Sequence, residues 1–135
     1  MKTKKIMSKI LFALLCMFSF VGCNQKENIM KNTYEQITPA EAKEIMDTEQ
    51  DYIILDVRTE EEFAEGHIEG AILIPDDEII EKAESILTDK EQQILVYCRS
   101  GRRSKNAASL LVELGYTNVK EFGGIIDWPY GTTIE

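Results

Sequence analysis

Cysteine is scarce in this chain. Cys16, Cys23 and Cys98 are the only three among 135 residues. Cys16 lies inside an apolar N-terminal run and Cys23 closes it, so the rest of the chain holds one thiol and forms no disulfide within its own fold. Histidine occurs once, at His67, and no His/Cys/Asp/Glu group has metal-ligand spacing, so neither a metal nor another cofactor is expected. Positive charge is also in short supply: 15 Lys and Arg stand against 24 Asp and Glu, a formal −9. Four of the basic residues (Lys2, Lys4, Lys5 and Lys9) precede Cys23 and no acidic residue does, which leaves −13 from Cys23 onward. So acidic a surface excludes nonspecific nucleic-acid binding, which needs many cations to neutralise phosphates. It also repels anionic lipid headgroups. There is no internal repeat and no low-complexity stretch. With 44% hydrophobic and 29% charged residues, the composition is that of a globular domain with one modest core.

The first residues have the character of an address. Met1–Lys9 is basic, and Ile10–Val21 is an uninterrupted apolar run of signal-peptide length, too short for a comfortable membrane span. It ends in Phe20-Val21-Gly22-Cys23, which resembles the bacterial lipobox, although Phe20 stands where leucine dominates. The resemblance implies a signal peptide over residues 1–22 and lipidation of Cys23 as the new N-terminus. It further implies export and anchoring to a bacterial membrane on its extracytoplasmic face, since acyl chains hold a protein there without a spanning helix. The alternative is an uncleaved N-terminal anchor with an incidental cysteine. Residues 23–33 then make a lipidated cysteine and polar tether, and residues 34–135 one domain. A lone thiol outside the cell is exposed to oxidation, which points to use, a buried inert cysteine being the other reading.

Local signals divide the domain into alternating strands and helices. Thr38-Pro39-Ala40-Glu41 is a helix start, with Thr38 as N-cap and Glu41 closing a capping box; the helix is expected to reach about Asp47. Tyr52–Val57 is a continuous apolar run, as in a strand buried on both faces. Thr59 with Glu62 repeats the capping-box spacing and opens a short helix ending near Gly66. Ala71–Pro75 reads as a short strand, and Asp76–Leu87 as a helix with Ile79, Ile80, Ala83, Ile86 and Leu87 on one face. Ile94–Tyr97 is another buried strand, Ser104–Leu114 a helix closed by Gly115, and Val119–Phe122 a last strand before Gly123-Gly124 and a short turn of helix. The alternation predicts an α/β fold with a mainly parallel sheet.

In such sheets ligands bind beyond the carboxyl ends of the strands, which is where Cys98 stands. The backbone N–H groups of a tight strand-to-helix loop, with the free donors of a helix N-terminus, make an anion cradle. A thiol placed there has its charged form stabilised. Gly101 gives the loop conformations closed to other residues, and Arg99, Arg102 and Arg103, followed by Lys105, set dense positive charge in an otherwise acidic protein. The pattern points to a nucleophilic cysteine and a small anionic substrate. The plainer alternative is a buried strand-end cysteine beside a solvated basic helix start.

Cys98-Arg99-Ser100-Gly101-Arg102-Arg103-Ser104 resembles the active-site loop of single-domain rhodaneses, the C-R-x-G-x-R-S pattern of thiosulfate-type sulfurtransferases. Asp56-Val57-Arg58, Gly66-His67-Ile68 with Gly70-Ala71 and Ile74-Pro75, and Gly123-Gly124-Ile125 with Trp128 agree in order and spacing, so the likeness spans about Tyr34 to Trp128. It implies about five parallel strands flanked by helices on both faces. It also implies that Cys98 carries sulfane sulfur as a persulfide between a donor (thiosulfate or a persulfide) and a thiol or cyanide acceptor. By the same carry-over Arg99, Ser100, Gly101, Arg102 and Arg103 form the substrate cradle, with the outer arginines Arg99 and Arg103 placed to grip a sulfonate. Asp56 and Arg58 brace the loops, His67 is a structural turn residue, and Trp128 is core or pocket wall.

Two rivals remain. Phosphatase-type loops place arginine six positions after the cysteine, where this chain has Ser104, and arsenate reductases with an internal cysteine relay need a second thiol. A noncatalytic sulfur-carrier or partner-binding module would keep Cys98 equally well. Which protein partner such a module would serve is not encoded in any motif.

Overall fold

The computed structural model describes residues 33–135. The expected signal peptide, Cys23 and most of the tether lie outside them. Five strands form one parallel sheet in the order β1-β5-β4-β2-β3, with β1 at Glu35–Gln36, β2 at Tyr52–Asp56, β3 at Ile72–Leu73, β4 at Gln93–Cys98 and β5 at Val119–Gly124. The helices are α1 (Pro39–Thr48), α2 (Glu60–Glu65), α3 (Ile79–Ile86) and α4 (Arg102–Glu113), with single 3-10 turns at Asp76–Glu78 and Ile125–Asp127. This is the predicted α/β architecture.

The central strand β4 is buried along nearly its whole length, and its side chains alternate between two cores. Ile94, Val96 and Cys98 join Leu55 of β2 and Val57 just after it beneath α3 and α4, which supply Ala83, Ala107 and Leu111. Leu95 and Tyr97 face the other way, with Ile54, Phe122 and Ala42 of α1, and with Trp128 at the margin. Each fully buried aliphatic side chain contributes about 1.5–3 kcal/mol. This double burial packs β4 on both faces up to its last residue, Cys98.

Both capping boxes form. Thr38 Oγ1 accepts from Glu41 N–H at 3.1 Å while Thr38 N–H donates to Glu41 at 2.7 Å. Thr59 and Glu62 do the same at 3.2 and 2.9 Å.

Four local readings differ from the structure. Strand β1 was not expected: its two residues are exposed and carry no apolar signal, and it exists through pairing with Lys120 and Glu121 of β5. The Ala71–Pro75 strand shortens to Ile72–Leu73, because this edge has only β2 to pair with. On α3 the buried stripe is Ile79, Ala83 and Leu87, while Ile80 and Ile86 are 57% and 46% exposed. At 100° per residue these two lie roughly 60° to either side of the stripe's centre, too far round to reach the sheet. Helix α4 starts at Arg102 rather than Ser104, because Gly101 takes φ +100° and serves as its N-cap.

A buried cysteine in a basic helix-start cradle

The register of β4 and β5 slips between Val96 and Cys98, so Cys98 pairs with Gly124. The slip brings the end of β5 under the loop that follows Cys98. Gly124 lies so close that a Cβ there would sit 2.0 Å from the Arg99 carbonyl oxygen and 2.6 Å from Ser100 Cα. Ile126 N–H donates to the same Arg99 oxygen at 3.2 Å. The loop is therefore seated on the β5 end by backbone contact.

Within the loop, Gly101 N–H donates to Cys98 Sγ at 3.0 Å. The left-handed conformation of Gly101 turns that N–H inward, and side chains rarely adopt it. Cys98 is 1% exposed, so its sulfur sits at the bottom of the cradle. Ser104, wholly buried in the first turn of α4, places its Oγ 3.4 Å from the sulfur. Ser104 in turn donates toward Glu121 Oε1 at 2.6 Å. That buried carboxylate at the site was not singled out from the sequence. The signal for it was present: Glu121 shares with Val119 the inward face of β5, where a charge is out of place.

The first turn of α4 holds no acidic residue and begins Arg102-Arg103. Cations at a helix N-terminus oppose the macrodipole, so the arrangement gains when an anion binds there. Arg99 and Arg102 are exposed, and their side chains make no hydrogen bond or ion pair among the described residues. Arg103, expected with Arg99 to grip a sulfonate, forms a two-pronged pair with Glu62, Nη1 to Oε2 at 2.8 Å and Nη2 to Oε1 at 2.9 Å. The carboxylate that caps α2 thus also fastens α2 to the start of α4.

The Arg103 hydrogen bonds, opposed by partial burial and reinforced by Thr59, hold the Glu62 carboxyl down at about 2, from an ordinary value near 4.5. A carboxylate depressed in the folded state stabilises above its unfolded value and loses that contribution as pH falls through its folded value. With both side chains between a fifth and a third exposed, solvent screening reduces the gain to about 1–2 kcal/mol. Glu62→Gln is expected to lower unfolding free energy by that amount at neutral pH, and the difference should shrink toward zero between about pH 4.5 and pH 2. Denaturant titrations of both proteins across that range check it; a constant difference would assign the loss to packing.

Asp56 and Arg58 form a buried pair at the end of β2. Arg58 Nε and Nη2 reach Asp56 at 3.0 and 2.7 Å, Nη2 also donates to the Gly66 carbonyl at 2.7 Å, and the Tyr97 hydroxyl donates to Asp56 Oδ2 at 2.7 Å. Burial works against the Arg58 charge, and the bonds to Asp56 outweigh it and raise its pKa. Burial, together with the nearby Asp56 charge, raises the Tyr97 phenol. His67 stacks on Phe63 with ring centroids 3.7 Å apart, and its ring nitrogens face the carbonyl oxygens of Phe63 and Glu135. None of its hydrogen bonds or ring contacts is with the Cys98 loop.

The model of the rhodanese-like domain matches residues 38–128 of this chain. The thiosulfate sulfurtransferase PspE of Escherichia coli (strain K12) is 41% identical over 73 residues, covering 54% of this chain and 70% of the relative. The thiosulfate sulfurtransferase GlpE of Haemophilus influenzae (strain PittEE) is 36% identical over 97 residues, covering 71% and 89%. Among solved structures, a rhodanese-related protein from Thermoplasma volcanium superposes with a TM-score of 0.66 at 32% identity, over 76% of this chain and 100% of that one. A rhodanese with anions from E. coli superposes with a TM-score of 0.58 at 36% identity, over 62% and 99%. Fold, loop and relatives agree: this chain belongs to the rhodanese-like family of sulfurtransferases.

Proposed function

We propose that this protein moves a sulfane sulfur from thiosulfate or a persulfide donor to a thiol or cyanide through a persulfide on Cys98, at a membrane surface to which a lipid on Cys23 tethers it. The observation that carries the chemistry is the Gly101 N–H on Cys98 Sγ at 3.0 Å, at the mouth of a helix whose first turn is cationic. That donor and the helix N-terminus favour negative charge on sulfur. The thiolate attacks the outer sulfur of thiosulfate; the new S–S bond takes that sulfur, and sulfite leaves with the electron pair of the broken bond. The acceptor then attacks the terminal sulfur of the persulfide and the Cys98 thiolate is restored, a double displacement with ping-pong kinetics. Arg99 and Arg102, which hold no partner within the domain, receive the donor's anionic group. Arg103 serves the cradle through Glu62. The E. coli neighbour described with anions supports an anionic substrate. Cys23, the signal peptide and extracytoplasmic placement rest on the lipobox resemblance.

The test is the intact mass of the chain from Cys23 onward, with Cys23 replaced by serine, after exposure to thiosulfate, read beside thiocyanate formation with cyanide. One added sulfur on the Cys98 protein, none on Cys98→Ser, and turnover in the first alone are expected. Loading without turnover favours a sulfur carrier that needs a protein acceptor. No loading by thiosulfate or by a small persulfide rejects sulfur transfer and returns oxyanion chemistry to consideration.

A further inference from the structure

Glu121 is a buried carboxylate to which the double displacement assigns no role. It is 2% exposed, and its Oε1 accepts from the Ser104 hydroxyl at 2.6 Å and from Gly123 N–H at 2.8 Å. The Ser104 hydroxyl carries one proton. Within its reach are Glu121 Oε1, the Gly101 carbonyl at 3.0 Å, the Gly123 carbonyl at 3.4 Å and Cys98 Sγ at 3.4 Å. The carboxyl oxygen of Glu121 is the nearest of these at 2.6 Å, so the proton points to Glu121. Ser104 then shows the sulfur a lone pair, which accepts from a thiol and repels a thiolate.

We propose that Glu121 is a positioning residue for Cys98, acting through Ser104: it holds the Ser104 proton away from the sulfur and so favours the thiol at rest. This rests on Cys98 being the nucleophile. Two influences thus meet at one sulfur. The Gly101 N–H favours the thiolate, and the Ser104–Glu121 line opposes it. In a domain with a single thiol the opposition limits oxidation, which begins from the thiolate. From α4, Arg103 acts on Cys98 while paired with Glu62 of α2. The loop and α4 also carry the exposed Arg99, Arg102 and Lys105, and Asp76 of the neighbouring 3-10 turn acts on Arg103. On β5, Lys120 points to the opposite face and pairs with Glu35 of β1, and in α1 Glu41 is bound by Thr38.

The readout is the ultraviolet absorbance of the Cys98 thiolate in the full chain against pH, taken by difference from Cys98→Ser. Glu121→Gln keeps the side-chain shape but offers Ser104 a weaker, neutral acceptor, so the hydroxyl proton is released toward the sulfur. It is expected to bring the thiolate in at lower pH, with about tenfold more of it at neutral pH. Ser104→Ala, which removes the acceptor facing the thiol, is expected to move the curve the same way, and Glu121→Gln added to it should then contribute little. A Glu121→Gln curve that is unchanged or moves up overturns the proposal, and so does a full effect surviving in the Ser104→Ala background. If Glu121→Gln does not fold, the Ser104→Ala curve decides, since no shift there is equally fatal. The absorbance needs no sulfur donor. Failure of Cys98 to load sulfur would therefore reject the sulfurtransferase reading without touching this measurement.

Discussion

Gly124→Ala is expected to reduce sulfur loading of Cys98 by about a hundredfold or more, the cost typical of displacing a reacting group by about 1 Å. Gly124 has an extended backbone, φ −124°, that any residue adopts, so conformation is not the issue. Space is. The added Cβ would lie 2.0 Å from the Arg99 oxygen, 2.4 Å from the Arg99 carbonyl carbon and 2.6 Å from Ser100 Cα, all backbone atoms of the loop that holds the sulfur. No rotamer relieves a clash with backbone, so the loop must lift. As it lifts, the Ile126 N–H loses the Arg99 carbonyl and the Gly101 N–H loses its place against Cys98. Stability should fall by about 1–3 kcal/mol, as for other overpacked sites. Loading rates by mass and denaturant unfolding check the two effects separately. Wild-type loading in the variant would mean that the cradle does not depend on its seat against β5.

Asp56→Ala should be the most destabilising of the substitutions considered, by about 3–5 kcal/mol, the range for breaking a buried ion pair from one side. Asp56 is fully buried and Arg58 is 5% exposed. Without the carboxylate, Arg58 keeps one hydrogen-bond acceptor, the Gly66 carbonyl, beside its contact with the Tyr97 ring, and the Tyr97 hydroxyl, which receives the Ile68 N–H at 3.1 Å, loses its acceptor. The penalty is mostly that of the stranded charge rather than the worth of the pair, so Asp56→Ala with Arg58→Met should recover much of the loss. For a domain of this size the single variant should melt more than about 10 °C lower. Below its transition, sulfur loading should change little, because none of the Asp56 bonds is to the Cys98 loop. A fall in loading by the folded variant would give the pair a direct role in the chemistry.

The local features were legible because their causes are local. Thr38 with Glu41, and Thr59 with Glu62, place donor and acceptor three residues apart on one helix turn, so sequence spacing alone closes each box. The apolar runs of β2 and β4 announce burial on both faces, and a cysteine after the second such run falls at the sheet's carboxyl edge. Long-range partners left no such mark. Glu62 reads as a cap, and its bond to Arg103 spans 41 positions. Ile80 and Ile86 read as core until the sheet's position shows that only Ile79, Ala83 and Leu87 can touch it.

The sequence by itself determined the alternation of strands and helices, the placement of Cys98 at a strand's end and the basic, glycine-bearing loop after it. Periodicity, caps and charge are properties of neighbouring residues. Tertiary structure decided which arginines stay free and which is tied, that Gly124 bears the loop, and that a buried carboxylate stands behind Ser104. Those outcomes depend on the slipped register of β4 against β5 and on the docking of α2 against α4, which bring together residues with no relation along the chain. A hydrogen bond acts over about 3 Å, and only the packed fold determines which groups come that near.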